Sequence, residues 1–215
     1  MSAAIGAVHA GVTENQVAVE AYAAMVGGGS GFLAADPIVT SGPRSGIAHT
    51  TFGGRRLTPG DTVLIELGAC RDRYFGALLR TVSIGTASPE VAKCGVAVHD
   101  ALLATIDAIR PGVTGADVHA SCVDALAGHG VEKYFRKRVG YSVGLAFAPD
   151  WGEGHIISLG PGEEQLLEPG MVFHVVPAVR VSREFCVGLS ETVLVTDDGV
   201  EVLTSFHDYL VETVW

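Results

Sequence analysis

The stretch Thr62 to Gly85, TVLIELGACRDRYFGALLRTVSIG, decides how the chain is read. An apolar run from Val63 to Leu67 holds one acid, Glu66, in its middle. A turn, an aromatic segment, a lone Arg80 and a second β-rich run follow. This pattern predicts a hairpin that aims a carboxylate into a cleft. A carboxylate inside an apolar strand is unfavourable unless it is paired or used, so Glu66 is a functional candidate. The plainer reading is a buried Glu66 satisfied by Arg80 or by a backbone donor.

Outward from that hairpin, the 215 residues suit one large domain or two fused halves with ample core. A net charge of -10, with no basic cluster beyond KYFRKR (133–138), argues against nucleic-acid or anionic-membrane partners. That cluster reads as a solvated helix end. No apolar run approaches the ~20 residues that span a bilayer, and no charged segment precedes an apolar one at the N-terminus. The expectation is a cytoplasmic protein. Cys70, Cys94, Cys122 and Cys186 form no C-x-x-C pair and are expected to be buried thiols.

On the N-terminal side, Gly11-Val12-Thr13 followed by Gln16 predicts a capping box and a helix to about Met25, stopped by Gly27 to Gly29. The same start recurs at Gly112-Val113-Thr114 with Asp117, again ending in glycine. The echo suggests two similar αβ halves packed together. Between them, residues 37–51 read as a strand entering a loop, with His49 at its end as an acid/base candidate. Pro89 to Ile109 has helical spacing and is read as the long helix of the first half. Its His99 and Asp100 read as packing or surface groups.

Further on, GYSVGLAFAPDWGEGH (140–155) gives an apolar strand and a turn that sets Trp151 between Asp150 and Glu153. Loops on a rigid scaffold are where binding residues gather, although Trp151 reads equally as a loop anchor. MVFHVV (171–176) is a strand with His174 embedded, and EFCVGLSETVLVT (184–196) with the turn at 197–199 forms a closing hairpin that carries Glu191.

The strand with its central acid, R-Y-x-x-x-L-x-R-T (73–81), L-E-P-G-M-V-F (167–173) and S-E-T-V-L-V-T (190–196) together resemble the creatinase/aminopeptidase P family, peptidase family M24. The resemblance implies an α+β, pita-bread fold over residues 1–215: two pseudo-repeated αβ halves around a curved, mainly antiparallel sheet with helices outside. It leaves the usual N-terminal domain of that family without a counterpart here. Of the metal-ligand positions of the family, the resemblance places the aspartates on Glu66 and Ala77, the histidine on Tyr141 and the glutamates on Val176 and Ser190. A later catalytic histidine falls near Ala148, and His49 matches a substrate-facing histidine. One anionic ligand among five is too few for a hard divalent ion, so no metal and no cofactor are expected.

Glu66, Tyr74, Arg80, G-Y-S-V-G, P-D-W-G-E and M-V-F-H are similar to the branch containing ectoine hydrolase, which implies metal-independent opening of a cyclic amidine with covalent attack by the glutamate. The resulting expectation is a hydrolase cleaving a C–N bond in a small amide-, amidine- or peptide-like substrate. Glu66 is its nucleophile or base, His49 its acid/base, and Arg80 orients Glu66 or binds a carboxylate. Tyr74, Tyr141, Trp151, Glu153, His155, His174 and Glu191 would line the pocket. A homodimer, or a partner supplying the absent domain, is implied by resemblance. Two other readings stay open: a catalytically silent module that binds a ligand or a protein, and a metal-dependent Xaa-Pro aminopeptidase.

Overall fold

A computed structural model describes residues 1–135, 137–204, 206 and 210–213. The hairpin forms as read: β2 (Thr62–Arg71) pairs antiparallel with β3 (Tyr74–Ile84) across a two-residue turn in which Asp72 and Arg73 both have positive φ. β1 (Ile38–Ser41) flanks β2, and β11 (Leu210–Thr213) runs parallel to β3. A second sheet holds β10 (Val200–Val202), β9 (Glu191–Val195), β6 (Val172–Val175), β4 (Gly140–Ser142) and β5 (Ser158–Leu159) in that order. β7 (Ala178–Val181) and β8 (Phe185–Gly188) form a separate pair. The run 184–196 is therefore two strands, because the chain changes partner at Leu189 and Ser190. There the Ser190 amide bonds the Leu79 carbonyl of β3 at 3.1 Å.

The repeat is visible atom by atom. Helices α2 (Glu14–Gly27) and α4 (Gly115–Gly128) both start with a complete capping box, Thr13 with Gln16 and Thr114 with Asp117. Before α2 the Gly11 amide donates to the Leu57 carbonyl and the Leu57 amide to the Val12 carbonyl, just as before α4 the Gly112 amide donates to Leu167 and the Leu167 amide to Val113. Gly60 and Gly170 then make matching left-handed turns into β2 and β6. Counting six residues on from each, Glu66 and Val176 occupy equivalent places in the two halves.

Each half has its own core. α1 (Ser2–Gly6) and α2 cover the face of β2 and β3 that carries Val63, Ile65, Leu67 and Val82. α3 (Pro89–Ala108) packs with α4 on Phe173, Val175, Val193 and Val195. The long helix read as part of the first half thus belongs to the second, since its apolar stripe of Val91, Val98 and Leu102 joins that core. Two small clusters fill the space between the halves: Leu64, Leu79 and Cys186 with Val176, and Cys70, Phe75, Ala77 and Trp151 with Tyr141. All four cysteines are buried free thiols. Among the described residues no helix is long and apolar enough to cross a membrane.

Candidate active site

Strand alternation sets the site. Glu66 pairs with Leu79 and Gly68 with Ala77, so these residues share the face of the hairpin that meets the second half. Ile65 pairs with Arg80, so Arg80 is on the opposite, helix-covered face. There Arg80 is fully buried and donates to the Leu79, Ser190 and Phe206 carbonyls and to Glu191 Oε1 at 2.5 Å. Glu191 also accepts from the Thr204 hydroxyl. The expected partnership of Arg80 with Glu66 is therefore corrected: the period of two that points Glu66 inward points Arg80 outward. Arg80 and Glu191 are a structural ion pair.

Glu66 is partly buried, and no hydrogen bond or ion pair to it is described. Burial is the main cause that raises its carboxyl from 4.5 to about 7, opposed by the Arg180 cation and reinforced by the Asp150 anion. Arg180 on β7 was not singled out in the sequence. Its Nε is buried without a hydrogen-bond partner, and its guanidinium also influences Cys186, opposite it on β8. The signal that drew attention to Glu66, one charge in an apolar strand, is equally present in AVRV (178–181).

Next to Glu66 the wall is aromatic. Trp151 lies so close over Gly68 that a Cβ there would meet its ring at 2.6 Å, and Gly152 likewise leaves only room for the Tyr141 ring. Trp151 is buried, not displayed as a binding surface: its Nε1–H donates to the Tyr141 hydroxyl oxygen at 2.9 Å. That oxygen lies 2.9 Å from His174 Nδ1, and His174 Nε2 lies 2.6 Å from Ser190 Oγ. Burial, assisted by Arg80, lowers His174 from 6.5 to about 3, so the imidazole is neutral. Burial and the neighbouring Glu66 charge push the Tyr141 hydroxyl upward.

The other expected residues are more dispersed. His49 is exposed, with φ 55°, in the loop after β1 and has no described hydrogen bond. Tyr74 is exposed at the hairpin tip, where it lines a hollow of about 440 Å³ with the end of α2, away from Glu66. Glu153 packs its carboxyl against Gly144, and His155 is exposed. The structure brings Glu66, Tyr141, Trp151 and His174 to one neighbourhood, with Arg180, Asp150 and Ser190 added.

An inner-face acid set between two repeated αβ halves is the architecture of a pita-bread hydrolase. The profile described as metallopeptidase family M24 matches residues 1–197, and the chain belongs to that family. It is 34% identical to the probable dipeptidase PepE of Mycobacterium tuberculosis over 222 residues, covering 99% of this chain and 57% of that one. It is 29% identical to the ectoine hydrolase of Halomonas elongata, covering 83% and 44%. Prolidase from Pyrococcus furiosus superposes with a TM-score of 0.89 at 28% identity, covering 96% and 60%. The chain thus spans about half the length of the curated relatives it matches.

A family of metallopeptidases implies metal, and the described donor set does not supply a site for it. Among the described residues no three His, Cys, Asp or Glu side chains are grouped to hold an ion. His174 is engaged at both ring nitrogens, and Glu191 by Arg80 and Thr204. These residues do not fit a shared metal centre.

Proposed function

We propose that the chain carries the active half of an M24 hydrolase that cleaves a C–N bond in a small amide-, amidine- or peptide-like molecule, with Glu66 as nucleophile or general base and no metal step. The observation that carries this reading is the inner-face Glu66 carboxyl, which has no hydrogen bond or ion pair among the described residues and is raised by burial to about 7, where an acid/base group works best at neutral pH. As a base, Glu66 takes the proton of a water whose oxygen adds to the carbon of the C–N bond, then returns it to the departing nitrogen. As a nucleophile, its own oxygen bonds to that carbon, the C–N bond breaks as the nitrogen leaves with a proton from solvent, and water then hydrolyses the covalent Glu66 adduct to release the product and restore the carboxyl. Arg180 takes over the part first given to Arg80, keeping a fraction of Glu66 ionised and offering a cation to a substrate carboxylate. His49, exposed in the loop after β1, remains the proposed acid/base.

The ectoine hydrolase and PepE relatives direct the test to cyclic amidines, N-acyl amino acids and Xaa-Pro dipeptides. The wild type, with and without chelator, and Glu66→Gln are assayed on that panel. Chelator-resistant turnover that disappears in Glu66→Gln is expected; full turnover in the variant removes Glu66 from the mechanism.

A second reading, a binding module without catalysis, is favoured by the apolar packing of Ala77 and Val176 between the halves. Ligand-induced thermal stabilisation with no turnover of any panel member would select it.

A further inference from the structure

Five groups from five segments meet in an unbroken hydrogen-bonded chain, and counting its protons fixes its direction. The Leu79 amide donates to Ser190 Oγ at 2.6 Å, and Ser190 is fully buried. Its hydroxyl proton has one described acceptor, His174 Nε2. Were Nε2 to carry the imidazole proton, Ser190 Oγ would receive two N–H groups and its own O–H would be buried without an acceptor, an arrangement that proteins avoid. A neutral imidazole holds one N–H, which then belongs on Nδ1 and donates to Tyr141 Oη. Trp151 Nε1–H donates to the same oxygen. With both acceptor positions filled, the Tyr141 hydroxyl proton has no place left within the chain of bonds. Tyr141 is only partly buried, and the Glu66 carboxyl is near enough to act on its hydroxyl electrostatically.

We propose that Ser190 and His174 are positioning residues that hold the Tyr141 hydroxyl as a hydrogen-bond donor into the space before Glu66, where it receives a carbonyl oxygen or an oxyanion. The ring has little freedom to leave that role. Gly152 closes on one of its edges, the Arg138 guanidinium sits 4.7 Å from its centroid, and His174 meets it edge-on at 5.2 Å. A donor so fixed needs no reorganisation when negative charge develops on an oxygen beside it. The catalytic use of this donor rests on the hydrolase reading, whereas its direction does not.

The test begins with the full chain, unliganded, labelled with 15N in its histidines. Long-range 1H–15N correlation at neutral pH should show His174 protonated at Nδ1 and bare at Nε2. A proton on Nε2, or on both nitrogens, overturns the inference, and this reading depends on no variant. Ser190→Ala should let His174 drift to a mixture of tautomers; an unchanged, pure Nδ1 form in that variant would show that Ser190 does not set the tautomer and would overturn its part. On any panel substrate that the wild type turns over, Tyr141→Phe should lower kcat roughly 100-fold with KM within about twofold. An unchanged kcat overturns the donor role. A wild type with the Nδ1 form and no turnover sinks the hydrolase reading and leaves the donor geometry standing; turnover with the Nε2 form sinks the inference alone.

Discussion

Replacing Glu66 by glutamine should stabilise the protein, and only at neutral to alkaline pH. In the folded chain the carboxyl is raised from 4.5 to about 7. Between those values the folded state binds more protons at this site than the unfolded state, so stability contributed here falls as pH rises through that window. Above pH 7 the full penalty of holding a carboxylate in this place applies, roughly 3 kcal/mol as an upper bound from the size of the shift. Partial exposure screens it, leaving about 1–2 kcal/mol. Glutamine mimics the protonated acid and escapes the penalty. Thermal unfolding of wild type and Glu66→Gln is compared from pH 4 to 8.5, where the difference cancels every other titrating group. Near pH 4 the two should coincide; at pH 8 the variant should melt about 2–8 °C higher, given ~2–4 °C per kcal/mol at this chain length. Parallel curves, or a variant less stable at pH 8, would mean that a partner stabilises the Glu66 anion and would refute the reasoning.

Arg80→Met should destabilise by roughly 3–5 kcal/mol, because it strands the buried Glu191 carboxylate, while leaving the Glu66 titration in place. Urea unfolding checks the first outcome and carboxyl NMR the second. Gly68→Ala should cost about 1–3 kcal/mol as Trp151 is displaced, and wetting of the neighbouring carboxyl should bring Glu66 down toward 4.5. Arg180→Met removes the cation that favours ionised Glu66 and should move its midpoint above 7; a midpoint that stays still would place Arg180 outside the site. His174, neutral when folded and held near 3, makes stability fall as pH drops from 6.5 toward 3, because the unfolded chain takes up a proton that the folded chain refuses. His174→Gln should flatten the unfolding midpoint over that range.

What could be read from the sequence was what is encoded locally. The two capping boxes and the acid in VLIEL each declare themselves within a few residues. The first yield the repeat and the second the inward carboxylate. Arg80 was misassigned because its face depends on register, and Asp72-Arg73 is a weak signal for the two-residue turn that sets it opposite Ile65. α3 was given to the first half because its spacing shows an apolar stripe without naming what the stripe meets. The Leu79, Ser190, His174, Tyr141 and Trp151 chain joins residues up to 111 positions apart, and no short window of sequence contains it. Arg180 carried a readable signal, a charge on an apolar strand, that went unused.

Titration of the Glu66 side-chain carboxyl by 13C NMR most directly tests the claim that this acid is held on an inner, desolvated face with no hydrogen-bond or ion-pair partner among the described residues. A midpoint about 7 is the result that the structure predicts. A midpoint at or below 4.5 would show a well-solvated or paired carboxylate, and with it the assignment of the site to Glu66 would fail.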